Sequence, residues 1–179
     1  YKGGIGTSSR VLPPSLGGYT VGVLVQSNYG GAMEIAGLKA GELLGKFDFK
    51  KDIESYSDGS CMIVVITNAP ITSRNLERVA KRAIMGLAKT GGIASNGSGD
   101  YVIALSVAPD NLIDESTSFY LPQELHNSAV SALFMATIEA TEEALLNSLF
   151  AAKTTKGYRG RVVEELPKDI IAKALKEQR

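Results

Sequence analysis

The sequence predicts an α/β protein of the α+β kind, with helices layered on a sheet. Three aliphatic, β-branched runs read as buried strands, and two long segments repeat apolar residues at helical spacing. The strands are followed by helices without a long βαβαβ alternation, which favours separate layers over a doubly wound sheet. A chain of 179 residues with 44% hydrophobic and 21% charged residues is part of a single domain able to bury a full core.

The chain opens with YKGGIGTSSR, a Gly/Ser-rich stretch that reads as a loop. Independent domains rarely begin so abruptly, so the protein is expected to continue upstream of Tyr1. Residues 19–27, YTVGVLVQS, form a strand buried on both faces, and Gly22 in its middle marks a close neighbour. Residues 32–51 set Ile35, Leu38, Leu43 and Leu44 between Gly37, Gly41 and Gly45, which reads as short strands joined by turns. Residues 48–59 are the most polar portion and the best candidate for an exposed, cleavable connection. Residues 61–67, CMIVVIT, are a clear strand.

A helix follows over residues 73–90, where Leu76, Val79, Ala83, Ile84 and Leu87 make one apolar stripe and Gly91-Gly92 stops it. After a loop at 93–100 comes a strand at 101–107, closed by Pro109. A second long helix spans about 124–152, with Val130, Leu133, Thr137, Leu145 and Leu149 on its apolar side and Glu139, Glu142 and Glu143 on a solvated face. Gly157 and Gly160 break the pattern. A last helix occupies 167–176, with Pro167 in its first turn and Asp169 and Lys173 at the supportive i,i+4 spacing.

Composition removes several function classes. Lys plus Arg number 19 and Asp plus Glu number 19, so no net field draws nucleic acid or anionic lipid. Aromatic residues are 7% and Trp is absent, which argues against base-stacking platforms. A single cysteine, Cys61, excludes an internal disulfide, and a single histidine, His126, leaves no His-rich metal cluster. No metal and no organic cofactor is expected. Catalysis, if present, needs bases other than a conventional Ser-His-Asp triad. No window approaches the roughly 18 consecutive apolar residues of a membrane helix, and no export signal is visible, so a cytoplasmic location is expected.

Two glycine-rich segments, GGIGTSS at 3–9 and GGIASNGSGD at 91–100, invite a nucleotide-binding reading. The second follows a helix and opens a strand, the reverse of a phosphate-cradling loop, and neither contains Gly-Lys-Ser/Thr.

Other residues suit a different chemistry. Ser60 stands at the mouth of a strand in SDGSCMIVVIT, Ser98 and Asp100 sit two apart at the start of another, and Asn28 ends a third. Each has an ordinary reading as a turn residue. Together they offer an amide donor, a hydroxyl nucleophile and a hydroxyl–carboxylate pair that handles a proton, provided the three strands are neighbours. Alternation along its strand points Cys61 away from Ser60 and into the packing, and His126 reads as a surface or cap residue.

Five blocks, GGIGTSSR at 3–10, YTVGVLVQSNYG at 19–30, DGSCMIVVITNAP at 58–70, SNGSGDYVIALS at 95–106 and EATEEALLNSL at 139–149, resemble the L-aminopeptidase/D-esterase-amidase family, which includes the β-peptidyl aminopeptidases. The match runs through nearly the whole chain in order. It implies a four-layer αββα sandwich, similar to the N-terminal nucleophile hydrolases but with different strand connectivity. It also implies an inactive precursor that cleaves itself between Gly59 and Ser60, making residues 1–59 the end of a larger chain and residues 60–179 the smaller one. Ser60 would then be the nucleophile, Asn28 part of the oxyanion hole, and Ser98 and Asp100 the proton path. Some relatives carry Glu at the position of Asp100, and the shorter arm leaves open whether it meets the α-amine, works through Ser98, or binds the substrate's ammonium group.

The implied activity is hydrolysis of N-terminal L-, D- or β-residues from short peptides, amides and esters, through an acyl-enzyme on Ser60. The implied partners are the upstream half of the same precursor and further copies in a homotetramer. Two alternatives stand beside this: an acyltransferase like the ornithine acetyltransferases, and a non-catalytic relative that stays uncleaved.

Overall fold

Alternation of branched residues is what builds the sheet. The structure, a computed structural model, describes residues 1–47 and 59–178, so most of the polar connection expected over 48–59 lies outside the described residues. Four strands pair in the order β1 (Ile5–Val11), β2 (Thr20–Asn28), β3 (Ser60–Thr67) and β4 (Gly99–Ser106). β2 runs antiparallel to both β1 and β3, while β4 runs parallel to β3. The parallel step is possible because α2 (Ser73–Lys89) supplies the long crossover such a connection needs.

One face of this sheet is the core. Val21, Val23 and Val25 of β2 and Cys61, Ile63 and Val65 of β3 are all buried, together with Val79, Ala83 and Leu87 of α2. Each fully buried aliphatic side chain contributes about 1.5 to 3 kcal/mol. Among the described residues nothing covers the other face: Leu24, Met62, Ile66, Tyr101 and Ile103 are all exposed. The chain is thus one helix layer on one sheet layer.

Small residues let the central helix, α3 (Ser131–Ala151), lie close to both the sheet and α2. Ala136, Ala140 and Ala144 are buried at i,i+4 spacing, and Thr137 and Thr141 return their hydroxyls to the carbonyls of Leu133 and Thr137 at 2.7 Å. Where α2 crosses it, Gly86 is required: a Cβ there would lie 2.7 Å from the Ile138 carbonyl oxygen and 2.7 Å from Thr141 Cβ. A second cluster joins Ile35, Leu38 and Ala40 to Leu149, Leu166 and Ile171, and so fastens the short helix α1 (Ala40–Leu43) beside the last helix, α4 (Lys168–Glu177).

Five local expectations are revised. Residues 5–11 form β1 rather than a loop, because β2 offers them a full antiparallel partner and Arg10 reaches across to Glu139 and Glu143 of α3 at 3.1 and 2.5 Å. The acidic run of α3 is therefore paired, with Lys89 holding Glu142, and is no merely solvated face. The stretch after β2 contains helix α1 and one Ile35–Leu38 bridge in place of short strands. α3 begins at Ser131, not 124, since the chain before it is held extended by bonds such as Leu125 N–H to the Pro70 carbonyl at 2.8 Å. A two-stranded hairpin, β5 (Thr155–Lys156) with β6 (Val162–Val163), was not anticipated. Lys173 faces Glu177 at 3.9 Å rather than Asp169.

Candidate active site

Register alone brings the candidate residues to one end of the sheet. In the β2–β3 ladder Asn28 stands opposite Ser60, and in the β3–β4 ladder Ser60 stands opposite Gly99 and Cys61 opposite Asp100. The end of β2 and the starts of β3 and β4 thus share one edge. Asn28 and Ser60 are exposed and fall on the open face, in step with Leu24 and Met62. Cys61 is fully buried on the helix side, as alternation required.

The peptide bond before Ser60 is held in a specific way. The Ser60 hydroxyl donates to the Gly59 carbonyl oxygen at 2.5 Å, and the Gly99 N–H donates to that same oxygen at 3.3 Å. Gly99 N also lies 3.4 Å from Ser60 Oγ. The bond is thereby polarised by one backbone donor with the hydroxyl alongside. Gly59 is buried against the chain that leaves β2, and a Cβ there would sit 2.9 Å from Tyr29 Cα and 3.1 Å from the Asn28 carbonyl oxygen. Only glycine fits.

Ser98 and Asp100 contribute something different. Among the described residues, Ser98 Oγ and Asp100 Oδ1 are both shielded from solvent and have no hydrogen-bond partner. An unmet buried polar atom costs about 1 to 3 kcal/mol, so such atoms in a native fold call for an explanation. Asp100 takes the helix-side parity of β4, beside Cys61, and not the open face of Ser60. Burial, reinforced by the nearby Asp100 carboxylate, pushes the Cys61 thiol up to about 12, which leaves it a poor nucleophile at neutral pH.

Loop contacts hold the end of β2 in place. Tyr29 and Thr90 hydroxyls are 2.6 Å apart, and because Thr90 donates to the Leu87 carbonyl at 2.7 Å, Tyr29 is the donor to Thr90. Burial pushes the Tyr29 phenol up to about 12, so it stays protonated for that role. Ala32 N–H bonds the Gly91 carbonyl at 3.1 Å, and Gly31 bridges to Gly92, tying the glycine-rich loop to the chain beyond Asn28. That loop follows helix α2 and opens strand β4, the order read from the sequence.

A cavity of about 350 Å³ opens behind Asn28, bounded by Tyr29, Met33, Lys46 and Phe47, but Ser60, Ser98 and Asp100 do not line it. His126 is an exposed cap, with Nδ1 2.8 Å from the Ser128 hydroxyl, and is remote in role from this edge. Among the described residues no three His, Cys, Asp or Glu side chains are grouped to hold a metal, and no helix is long and apolar enough to cross a membrane. Sequence reasoning missed the Gly99 amide. Its signal was slight, a glycine between two polar residues at a strand start.

Comparison with known proteins places the family and the fold. Residues 1–163 match peptidase family S58. The chain is 36% identical over 192 residues to the β-peptidyl aminopeptidase BapA of Sphingosinicella microcystinivorans, covering 100% of this chain and 48% of that protein. Its fold matches the crystal structure of the PH0078 protein from Pyrococcus horikoshii OT3 with a TM-score of 0.86 at 41% identity, covering 99% of this chain and 48% of the other. It also matches the L-aminopeptidase D-Ala-esterase/amidase of Ochrobactrum anthropi, described as a prototype for the serine aminopeptidases and a new variant of the Ntn hydrolase fold. There the TM-score is 0.84 at 29% identity, with 99% and 49% of the two chains covered. The chain spans about half the length of the relatives it matches.

Proposed function

The chain belongs to peptidase family S58, and from that premise we propose that it is part of a self-processing serine aminopeptidase whose nucleophile is Ser60. One observation carries the reading: the Gly59 carbonyl oxygen is held between the Ser60 hydroxyl at 2.5 Å and the Gly99 N–H at 3.3 Å. In the first step Ser60 Oγ attacks the Gly59 carbonyl carbon, the C–N bond to Ser60 breaks, and the nitrogen takes a proton. Water then hydrolyses the resulting ester and frees the Gly59 carboxyl group. Residues 1–59 become the end of the larger chain and residues 60–179 the smaller.

The product is a serine with a free α-amine, whose reference pKa of about 7.7 to 8.0 suits a base near neutral pH. Ser98 Oγ and Asp100 Oδ1, unpartnered among the described residues, would receive that amine and carry its proton. The helix-side position of Asp100 favours this task over direct capture of the substrate's ammonium group. Asn28, opposite Ser60 in register, would donate its side-chain amide to the oxyanion as Ser60 attacks an N-terminal aminoacyl carbonyl. The substrates are short peptides, amides and esters with an L-, D- or β-residue at the N-terminus.

The apolar open face supports a second sheet packed upon it, contributed by the upstream half of the same precursor to complete an αββα sandwich. The same reading makes the whole protein a cytoplasmic homotetramer. The test is the intact mass of the full-length protein under denaturing conditions, where a fragment beginning at Ser60 is expected. Ser60→Ala should leave one uncleaved chain with no turnover of aminoacyl p-nitroanilides; cleavage or turnover at the wild-type level would remove Ser60 from the role.

A further inference from the structure

The proposed reaction leaves one neighbour of the nucleophile without a task. Tyr101 is the first open-face position of β4 after Gly99, is 64% exposed, and pairs in register with Met62, the next open-face residue after Ser60. Its ring leans back over Gly99. A Cβ built on Gly99 would lie 3.2 Å from Tyr101 Cε2 and 3.4 Å from Ser60 Oγ, so ring edge and hydroxyl flank a single point. Asn28 is on the other flank, on β2. The nucleophile therefore stands between an amide and an aromatic ring, with Met62 and Ile103 extending the apolar strip away from it.

Resting on the aminopeptidase reading, we propose that the Tyr101 ring forms the wall of the leaving-group subsite and selects substrates whose departing amine carries a flat or apolar group. The side of the site follows from the chemistry. The departing nitrogen must collect a proton from the Ser60 α-amine, and the atoms assigned to hold that amine, Ser98 Oγ just before β4 and Asp100 Oδ1 within it, lie at the start of that strand. A leaving group that departs over β4 meets Tyr101. The oxyanion, turned toward Asn28, does not. An aromatic amine stacked on the ring buries apolar area and gains the extra attraction of paired rings, whereas ammonia gains neither.

The test holds the acyl residue constant in the full-length protein and compares a p-nitroanilide with the simple carboxamide, for wild type, Tyr101→Ala and Tyr101→Phe. Tyr101→Ala should raise KM for the p-nitroanilide about tenfold, the equivalent of roughly 1.4 kcal/mol for one aromatic contact, and change the carboxamide by less than about twofold. Tyr101→Phe keeps the ring and should match wild type on both. Release of the Ser60 fragment reports that each variant is folded. Should Tyr101→Ala stay uncleaved, Tyr101→Leu, which keeps apolar bulk but loses the ring, should show the same selective rise. Equal loss on both substrates, or loss on neither, would overturn the subsite while leaving the aminopeptidase standing. A wild-type protein that is inert toward both, with its Gly59–Ser60 bond intact, would overturn the two together.

Discussion

Asn28 illustrates how much a single position draws from its surroundings. As a residue it is an ordinary strand end; set opposite Ser60 by the β2–β3 register, it becomes a side-chain amide at the edge of the proposed reaction. Replacing it with Ala should lower turnover by about 10² to 10³, the usual effect of deleting one oxyanion donor. A change below about tenfold, measured as kcat on a p-nitroanilide, would remove the role. The Gly99 N–H accompanies Asn28 at this edge, and as a backbone group it carries no side-chain signature. Cys61 shows the opposite case, a reactive residue type next to the nucleophile that burial makes inert, its thiol pushed up to about 12.

Between elements, close approach decides more than propensity. Gly86 lies within α2, where Ala would be favoured over Gly by about 1 kcal/mol in an isolated helix. Against α3 that preference reverses, since the added Cβ would press on Ile138 and Thr141 at 2.7 Å and overpacking costs about 1 to 3 kcal/mol. Gly86→Ala is expected to destabilise the protein by about 1 to 2 kcal/mol in urea unfolding; a neutral or stabilising result would mean that α2 and α3 do not approach this closely. The helical stripes and the three aliphatic strands were legible because their signal is local. The edge strand β1 was not, because IGTSSRV has weak intrinsic preference and is made a strand by β2 beside it.

At the scale of the molecule, the proposed cleavage point divides one continuous sheet. β1 and β2 precede Ser60 while β3 and β4 follow it, and the Ile35–Leu38–Ala40 cluster packs on Leu149, Leu166 and Ile171 from the far side of the bond. Loss of one covalent link leaves those interfaces intact. The open face makes a sharper claim. Ile66, on that face near the end of β3, is 41% exposed, and a substitution in contact with water would change stability by no more than about 0.5 kcal/mol. If the upstream half covers the face, Ile66→Asp in the full-length protein should cost more than about 2 kcal/mol or prevent soluble expression, because it buries an unpaired charge. A near-neutral result would show that the face stays open.

The sequence by itself determined the strands β2, β3 and β4, the helix α2, the buried state of Cys61 and the short set of polar residues from which a site could be made. These depend on neighbours a few positions apart, or on a motif that can be matched in order. Only the tertiary structure decided that the ends carrying Asn28, Ser60 and the Ser98/Asp100 pair share one edge, that Asp100 sits on the helix side, and that Tyr101 leans over Gly99 toward the hydroxyl. Those facts come from the pairing of strands distant in sequence. Pairing depends on which surfaces bury one another, and no local pattern encodes it.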